Sequence, residues 1–293
     1  MEKKIILITG ATNGVGKATA LELAKQGHQL ILHGRNEQKT KGVVEEIRQQ
    51  SSNNDIDYVL ADMLDLQSVR AMADEVSKRY DHIDVLLNNA GAQFGEERET
   101  TADGHEKTMV VNVMAPTLLS LALLPLLAKS KDGRIATTSS ASYTMGGQPI
   151  VDDMELETHY SYTKVYGLSK LYVIWMMRGV ERIIQEKGYH ISVNITHPGA
   201  TATSLGKDAK KGCLVTAIFG IWFLLAPLTM NSMAKAIKGN LYCATEPNLK
   251  TDLQVYYGPK GKEIVKDEKF NPATNEPLVW QYFYDIIKQY LNK

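Results

Sequence analysis

The feature that most constrains the fold of this chain is a regular alternation of apolar, β-branched runs with longer segments of helical periodicity. Continuous apolar strands separated by helices are typical of a parallel sheet that is covered on both faces. The pattern predicts a doubly wound α/β fold, a Rossmann-type, mostly parallel sheet of about seven strands in a single domain over residues 1–293. Predicted strands lie at 4–9, 29–34, 56–62, 82–89, 134–140, 190–198 and 252–258. Predicted helices lie near 15–26, 37–50, 66–79, 103–128, 160–186, 231–245 and 277–291.

Composition narrows the classes of partner and compartment. Lysine plus arginine and aspartate plus glutamate both number 33, so no basic bias points to nucleic acid. The two cysteines, Cys213 and Cys243, lie far apart, which predicts buried thiols in a reducing, cytoplasmic setting. None of the seven histidines has a metal-ligand spacing, so no metal is predicted.

A glycine loop follows the first predicted strand. Residues 9–17 read TGATNGVGK, so Gly10, Gly14 and Gly16 open a helix in a G-x-x-x-G-x-G spacing. Positions without side chains let the backbone approach a pyrophosphate, whose charge then lies against the helix N-terminus. A glycine triplet by itself is weak evidence, but its place directly after the first strand predicts a dinucleotide cradle.

The end of the second predicted strand indicates which dinucleotide binds. An acid there would accept a hydrogen bond from the ribose 2′-hydroxyl, whereas an arginine accommodates a 2′-phosphate. The chain has Arg35 at this point and no acid before Glu37. NADP(H) is therefore favoured over NAD(H), and the alternative is that Arg35 is an ordinary surface arginine.

Six motifs occur in an order that resembles the short-chain dehydrogenase/reductase family. They are TGATNGVG at 9–16, NNAG at 88–91, VN at 111–112, SS at 139–140, Tyr-x-x-x-Lys, and HPGATAT at 197–203. The resemblance covers almost the whole chain, and it implies hydride transfer between NADP(H) and a carbonyl or alcohol. The glycine spacing is similar to that of the short, single-domain reductases, and not to that of the extended epimerase and dehydratase branch.

The resemblance also implies where the cofactor lies. The NNAG motif would follow its adenosine side, and Asp62 would touch the adenine. The residues expected to contact the cofactor are Gly10, Thr12, Asn13, Gly14, Val15, Gly16, Arg35, Asp62, Met63, Asn89, Ala90, Gly91, Tyr166, Lys170, Pro198, Gly199 and Thr201.

The stretch YSYTKVYGLSK at 160–170 contains Tyr-x-x-x-Lys twice, as Tyr160 with Lys164 and as Tyr166 with Lys170. Residues four apart share a helix face, so either pair can place a phenol beside an ammonium. Six steps of about 100° rotate a side chain by about 240°, so the two pairs cannot face one cofactor. Only one pair can serve the reaction.

Three observations favour Tyr166 and Lys170 as that pair. The gap from Lys170 to Pro198 accommodates about four to five helical turns, a loop and a strand, and a serine before the lysine is common in the family. An apolar stripe continues behind Lys170 and predicts that this face lies near the sheet. The stripe consists of Val173, Ile174 and Met177.

Roles for the catalytic residues follow from the resemblance. Tyr166 would give or take the proton of the substrate oxygen, and the Lys170 ammonium would favour its phenolate and hold the nicotinamide ribose. Ser140 would hydrogen-bond the substrate oxygen, with Ser139 as the alternative on the same strand. Asn112 would hold a water that links Lys170 to solvent.

Three further segments shape the expected pocket. An insertion at 143–163 is similar to that of retinol-dehydrogenase-like and protochlorophyllide-reductase-like members. An apolar substrate lid is predicted near 204–230, and a C-terminal extension near 259–293. The run CLVTAIFGIWFLLAPL at 213–228 fits a lid over a lipophilic substrate, an interfacial helix that touches a membrane, or a core or dimer contact.

Two other functions remain open. A regulator or scaffold that binds NADP(H) without turnover would keep this fold, but it need not retain the four predicted catalytic residues. A sugar-nucleotide epimerase or dehydratase would hold NAD tightly. Family members are often oligomers, so a homo-oligomer is expected. His197 is interpreted as a loop-packing residue and not as an acid.

Overall fold

A computed structural model describes residues 2–201 and 231–291, and in this part of the chain eight strands form one sheet. The strands are β1 Ile5–Ile8, β2 Gln29–Gly34, β3 Ile56–Leu60, β4 Val85–Asn88, β5 Gly133–Thr138, β6 Ile191–Thr196, β7 Asp252–Gly258 and β8 Gly261–Ile264. Their order is β3-β2-β1-β4-β5-β6-β7-β8. All neighbours are parallel except β7 and β8, so the predicted doubly wound Rossmann sheet is confirmed.

The helices cover both faces of this sheet. They are α1 Gly14–Lys25, α2 Glu37–Ser51, α3 Leu66–Arg79, α4 Lys107–Leu127, α5 Tyr162–Glu186, α6 Met233–Ala236, α7 Lys238–Thr245 and α8 Pro272–Leu291. Apolar strand residues face two separate clusters, one beneath α1 and α2 and a larger one beneath α3, α4, α5 and α8. This layering leaves the carboxyl ends of the parallel strands free to form a site.

Over the residues that the structure describes, the sheet has eight strands, one more than the about seven that the sequence predicts. Strand β8 lies within the predicted C-terminal extension near 259–293, and it pairs antiparallel with β7 across a tight turn from Gly258 to Gly261. Its residues GKEI are mostly exposed at the sheet edge. An edge strand of this kind carries no apolar alternation, so the hydrophobic pattern cannot predict it.

Two helix starts also differ from the prediction. Helix α5 begins at Tyr162, where the Ser161 side chain caps it, so Tyr160 lies outside the helix. Helix α8 begins at Pro272 and not near 277, because proline is tolerated in the first turn, where no backbone donor is needed. The early start of α8 places the mostly polar residues 272–276 ahead of the apolar periodicity that the prediction uses, whereas α5 starts two residues later than predicted.

Helix α4 is the described helix that is apolar and long enough to cross a membrane by composition alone. In its most apolar window 89% of the residues are buried inside the protein, which is the behaviour of a core helix. Helix α8 packs beside it, and the Trp280 ring lies so close to Gly179 of α5 that a Cβ there would overlap it. Buried Cys243 agrees with its prediction, whereas Cys213 and the lid near 204–230 lie outside the described residues.

A polar network joins the C-terminal extension to the middle of α5. Arg178 donates to Asp267 at 2.7 Å and to Glu276 at 3.0 Å, and the Trp175 indole donates to Asp267 at 2.7 Å. These groups are largely buried, and burial of charge is tolerated here because each carboxylate has charged or N–H partners. The network fixes α5, the helix that carries the predicted tyrosine and lysine.

Candidate active site

A cleft of about 540 Å³ opens at the carboxyl ends of the central strands. It brings together most of the residues that the sequence predicts for the cofactor. These are Gly10, Thr12, Asn13, Gly14, Val15, Gly16, Arg35, Asp62, Met63, Asn89, Ala90, Gly91, Tyr166, Lys170 and Pro198. The predicted residues Asn112, Ser140, Gly199 and Thr201 lie beside the cleft, not on its lining.

The glycine loop has the form of an anion cradle. Gly10 and Gly14 adopt φ values of +64° and +52°, which favour glycine. A Cβ on Gly10 would lie 2.9 Å from Ala90 Cα, and one on Gly16 would overlap the Gly10 carbonyl oxygen. The Asn13 side chain accepts from the Gly14 N–H at 2.8 Å and caps α1. These residues therefore fit a pyrophosphate at the N-terminus of α1.

Substitution of Gly16 by alanine is expected to weaken NADPH binding by at least about ten-fold, because the added Cβ displaces the backbone of the cradle. Titration by NADPH fluorescence measures this change. Gly42→Ala on α2 is the control, since nothing lies within 4 Å of its Cβ. The control should bind normally and be stabilised by about 0.5–1 kcal/mol. Normal binding by Gly16→Ala would contradict the assignment of the cradle.

His33 supports this loop and is a residue that the sequence reasoning misses. Its Nδ1 accepts from the Gly10 N–H at 3.1 Å, and its Nε2 lies 3.1 Å from the Ala61 carbonyl oxygen. Burial lowers the pKa of His33, so the neutral ring with a hydrogen on Nε2 satisfies both contacts. The ring thus ties the turn after β1 to the end of β3. The sequence does carry a signal for this supporting role, because a polar histidine stands near the end of the apolar predicted strand 29–34.

The far end of the cleft is basic. Arg35 lines it together with Lys39, a second cation that the sequence reasoning misses. The nearby acid, Glu37, is instead paired with Lys41 at 2.9 Å and accepts from the Tyr58 hydroxyl at 3.3 Å. The carboxylate therefore has partners on α2 and β3, and it is not part of the cleft lining.

The second Tyr-x-x-x-Lys pair lies in the cleft and the first does not. The Lys170 Nζ lies 5.7 Å from the centroid of the Tyr166 ring and donates to the Thr138 carbonyl oxygen at 3.2 Å. The Tyr160 hydroxyl instead donates to the Gly95 carbonyl oxygen at 3.0 Å, ahead of the helix. Lys164 is likewise not part of the cleft lining. The structure thus places Tyr166 and Lys170, and not Tyr160 and Lys164, in the cleft wall.

The two serines after β5 have different partners. Ser139 donates to the Lys170 carbonyl oxygen at 2.7 Å, so its hydroxyl holds the backbone of α5. Ser140 hydrogen-bonds the Tyr166 phenol and accepts from the Ser142 N–H at 3.2 Å. Of the two, Ser140 is the hydroxyl in contact with the phenol.

Asn112 lies in a locally widened, π-type stretch of α4, Val110–Met114. Its Oδ1 accepts from the Ala92 N–H at 2.9 Å, and its Nδ2 donates to the Ala92 carbonyl at 2.9 Å and to Ser169 Oγ at 3.0 Å. A Cβ on Gly91 would lie 3.1 Å from Asn112 Oδ1 and 3.2 Å from Lys170 Nζ. The widened turn thus brings the amide close to the lysine, as such turns often do at functional sites.

Burial dominates the electrostatics of the pair. It lowers the pKa of Lys170 to about 8, and it raises the pKa of Tyr166 above its ordinary value. The hydrogen bond from Ser140 opposes the shift of Tyr166 but does not reverse it. With the protein groups alone the pKa of the phenol is therefore raised, which differs from the lowered pKa that the neighbouring ammonium predicts. The physical reason is that desolvation of the phenolate outweighs the hydrogen bond from Ser140.

Among residues 2–201 and 231–291, no group of three or more His, Cys, Asp and Glu side chains is placed to hold a metal ion. The fold and the cleft define a dinucleotide-binding protein of the Rossmann type, with a half-buried tyrosine and a buried lysine in its cleft.

The sequence matches the short chain dehydrogenase family over residues 4–213, and the chain belongs to that family. It is an NAD(P)-dependent oxidoreductase that acts on a CH–OH/C=O pair. The resemblance predicted from the motifs is thereby confirmed.

Individual relatives give the extent of the similarity. Retinol dehydrogenase 14 of Mus musculus is 30% identical over 299 residues, covering 98% of this chain and 85% of the relative. Polyprenol dehydrogenase of Homo sapiens is 29% identical over 208 residues, covering 70% of this chain and 62% of the relative. A short chain dehydrogenase of Shigella flexneri, solved in complex with NADP, has a TM-score of 0.64 at 25% identity, covering 86% of this chain and 95% of that one.

Proposed function

We propose that this protein is an NADP(H)-dependent oxidoreductase that interconverts a carbonyl and an alcohol on a lipophilic small molecule, with Tyr166 as the acid and base. The observation that carries the proposal is the placement of Tyr166 and Lys170 in the same cleft as the glycine cradle. When bound, the nicotinamide cofactor supplies or accepts the hydride. Gly10, Gly14 and Gly16 would hold its pyrophosphate, and Asp62 would lie at its adenine.

The side chains around the substrate oxygen have separate tasks. Tyr166 donates its proton to the oxygen during reduction and removes it during oxidation. Ser140, which already contacts the phenol, hydrogen-bonds the same oxygen. Lys170 favours the phenolate through its charge and holds the cofactor ribose. Asn112 positions a water that carries protons between Lys170 and solvent, consistent with the approach of its amide to the lysine.

The preference for NADP(H) rests on the charge at the far end of the cleft. Arg35 and Lys39 both line this end, and the carboxylate of Glu37 is engaged by Lys41. Two cations at the end of β2, with no acid directly after that strand to accept from a 2′-hydroxyl, suit a 2′-phosphate. The Shigella flexneri relative in complex with NADP supports the same preference.

Arg35→Asp is expected to weaken NADPH binding by about ten- to one-hundred-fold and to strengthen NADH binding relative to it, since a charge-assisted hydrogen bond is replaced by repulsion. Dissociation constants for both cofactors, measured on both proteins, test this. Lys25→Asp at the exposed end of α1 is the control for the same change of charge. Equal affinity of the unmodified protein for NADPH and NADH would refute the NADP assignment.

The lipophilic substrate is supported by the relatives and by the cleft. Retinol and polyprenol, the compounds that the two dehydrogenases are named for, are apolar alcohols. Apolar side chains of Ala92, Phe94 and Val111 line part of the cleft. A series of aldehydes of increasing chain length, assayed by NADPH oxidation, should show kcat/KM rising with length. Tight NADPH binding without turnover of any carbonyl would instead favour the regulator or scaffold.

A further inference from the structure

A histidine that takes no part in the proposed reaction lies directly behind the cleft. His197 is 6% exposed and follows β6, next to Pro198 on the cleft wall. Its backbone N–H donates to the Tyr257 carbonyl at 3.0 Å, and its ring packs edge-on against Tyr256 with centroids 4.3 Å apart. These contacts hold the imidazole in one orientation.

Both ring nitrogens of His197 have protein partners. Nδ1 accepts from the Gly199 N–H at 3.1 Å, and Nε2 lies 3.0 Å from Glu263 Oε1. A nitrogen that accepts carries no hydrogen, so the neutral ring must carry its hydrogen on Nε2 and donate it to Glu263. Burial lowers the pKa of His197, which agrees with a neutral ring. Glu263 therefore selects the tautomer that can hold Gly199.

The partner Glu263 comes from β8, the edge strand that the hydrophobic pattern does not predict. The β7–β8 hairpin is shaped to receive the ring, since a Cβ on Gly258 would overlap His197 Nε2. On the other side, Gly199 has a φ of +67°, a conformation that is held by its surroundings and not by a side chain of its own. A chain of contacts thus runs from the sheet edge to the turn at the cleft.

We propose that His197, oriented by Glu263, is a positioning residue that holds the Gly199 N–H and thereby fixes the turn 198–201 against the cofactor. The inference rests on the proposed function, because Pro198, Gly199 and Thr201 of this turn are among the residues expected to contact the cofactor. It assigns β8 a task in the site, although none of its residues lines the cleft.

Two substitutions separate hydrogen bonding from packing. In His197→Asn the side-chain oxygen can replace Nδ1 as the acceptor for Gly199, whereas in His197→Gln the longer amide reaches toward Glu263 and leaves Gly199 without its acceptor. Both variants lose the ring contact with Tyr256. We expect His197→Gln to raise the Kd for NADPH and the exchange rate of the Gly199 amide by about ten-fold, and His197→Asn to stay within about three-fold.

Variants of the hairpin complete the test. Glu263→Leu should raise the Kd for NADPH and the exchange rate of the Gly199 amide, but by less than His197→Gln does. The reason is that the tautomer of His197 is then no longer selected. Lys262→Gln breaks the neighbouring 2.6 Å ion pair with Asp252 and should change neither. Equal effects of the Asn and Gln variants would overturn the inference, since packing alone would then explain them. Failure of the unmodified protein to bind NADPH would overturn the proposed function, while the Gly199 exchange rates would still decide the role of His197.

Discussion

Tyr166→Phe is expected to lower kcat by about 10³-fold while leaving the Kd for NADPH within about three-fold. The change removes the hydroxyl that exchanges the proton and keeps the ring that lies 5.7 Å from Lys170 Nζ. The hydrogen bond to Ser140 is lost, but the ring is carried on α5 and half-buried in the cleft wall, so it should stay in place without its oxygen. Steady-state rates of NADPH oxidation, together with a fluorescence titration of NADPH, measure the two quantities separately.

Tyr160→Phe is the matched control for this experiment. Its hydroxyl donates only to the Gly95 carbonyl oxygen at 3.0 Å, and it precedes the Ser161 cap of α5. Loss of that bond should cost about 1 kcal/mol of stability and leave turnover within about two-fold. If Tyr160→Phe abolished turnover and Tyr166→Phe did not, the assignment of the pair would be wrong.

Lys170→Met is expected to abolish turnover and, at pH 7, to stabilise the fold. Lys170 is only 4% exposed, and burial lowers its pKa from 10.5 to about 8, so the charged form is held at a cost to stability. A shift of this size corresponds to about 3 kcal/mol. Loss of the hydrogen bond to the Thr138 carbonyl offsets about 1 kcal/mol of the stability gained by removing the buried charge. The net gain should be about 1–3 kcal/mol, measured by urea denaturation.

The pH dependence of stability provides a second test of Lys170. Because the pKa of its ammonium is about 8 in the folded protein and 10.5 in the unfolded chain, the unfolded chain binds more protons between these values. The free energy of unfolding should therefore receive a favourable contribution that grows as the pH rises through this range. Lys170→Met should lack that contribution, whereas Lys164→Met should retain it. If the free energy of unfolding depended on pH in the same way in the unmodified protein, Lys170→Met and Lys164→Met, the burial of charge at Lys170 would be refuted.

The sequence predicts the parts of this protein whose signals are local. Buried parallel strands are continuous apolar runs, and the cradle needs glycines at fixed spacings, so both can be recognised without a structure. The preference for Tyr166 over Tyr160 could also be argued, from the gap to Pro198, the serine before Lys170 and the apolar stripe behind it. The structure places Tyr166 in the cleft and Tyr160 ahead of the helix, and the catalytic role of Tyr166 stays a prediction.

The parts that could not be predicted depend on partners that are distant in the chain. His33 and His197 look alike in the sequence, but the ring of each has two polar partners, Gly10 and Ala61 for His33 and Gly199 and Glu263 for His197. Strand β8 has no apolar pattern because it lies at an exposed edge. The π-type stretch at Asn112 is also invisible, since the widened turn depends on packing and not on composition. The cofactor roles, the lid and a homo-oligomer stay predictions.

The docking of α8 on α5 has a consequence for the order of events during synthesis. The last twenty-residue helix covers Gly179 with Trp280, and Glu276 within it completes the ion pairs of Arg178. When Tyr166 and Lys170 have been synthesised and α8 has not, the face of α5 at Arg178 and Gly179 is therefore still uncovered. Every residue of the proposed site is synthesised before this helix, yet the scaffold that holds them is closed only when the helix has been made. A premature stop ahead of Pro272 would therefore remove the support of the site without removing a single residue from it.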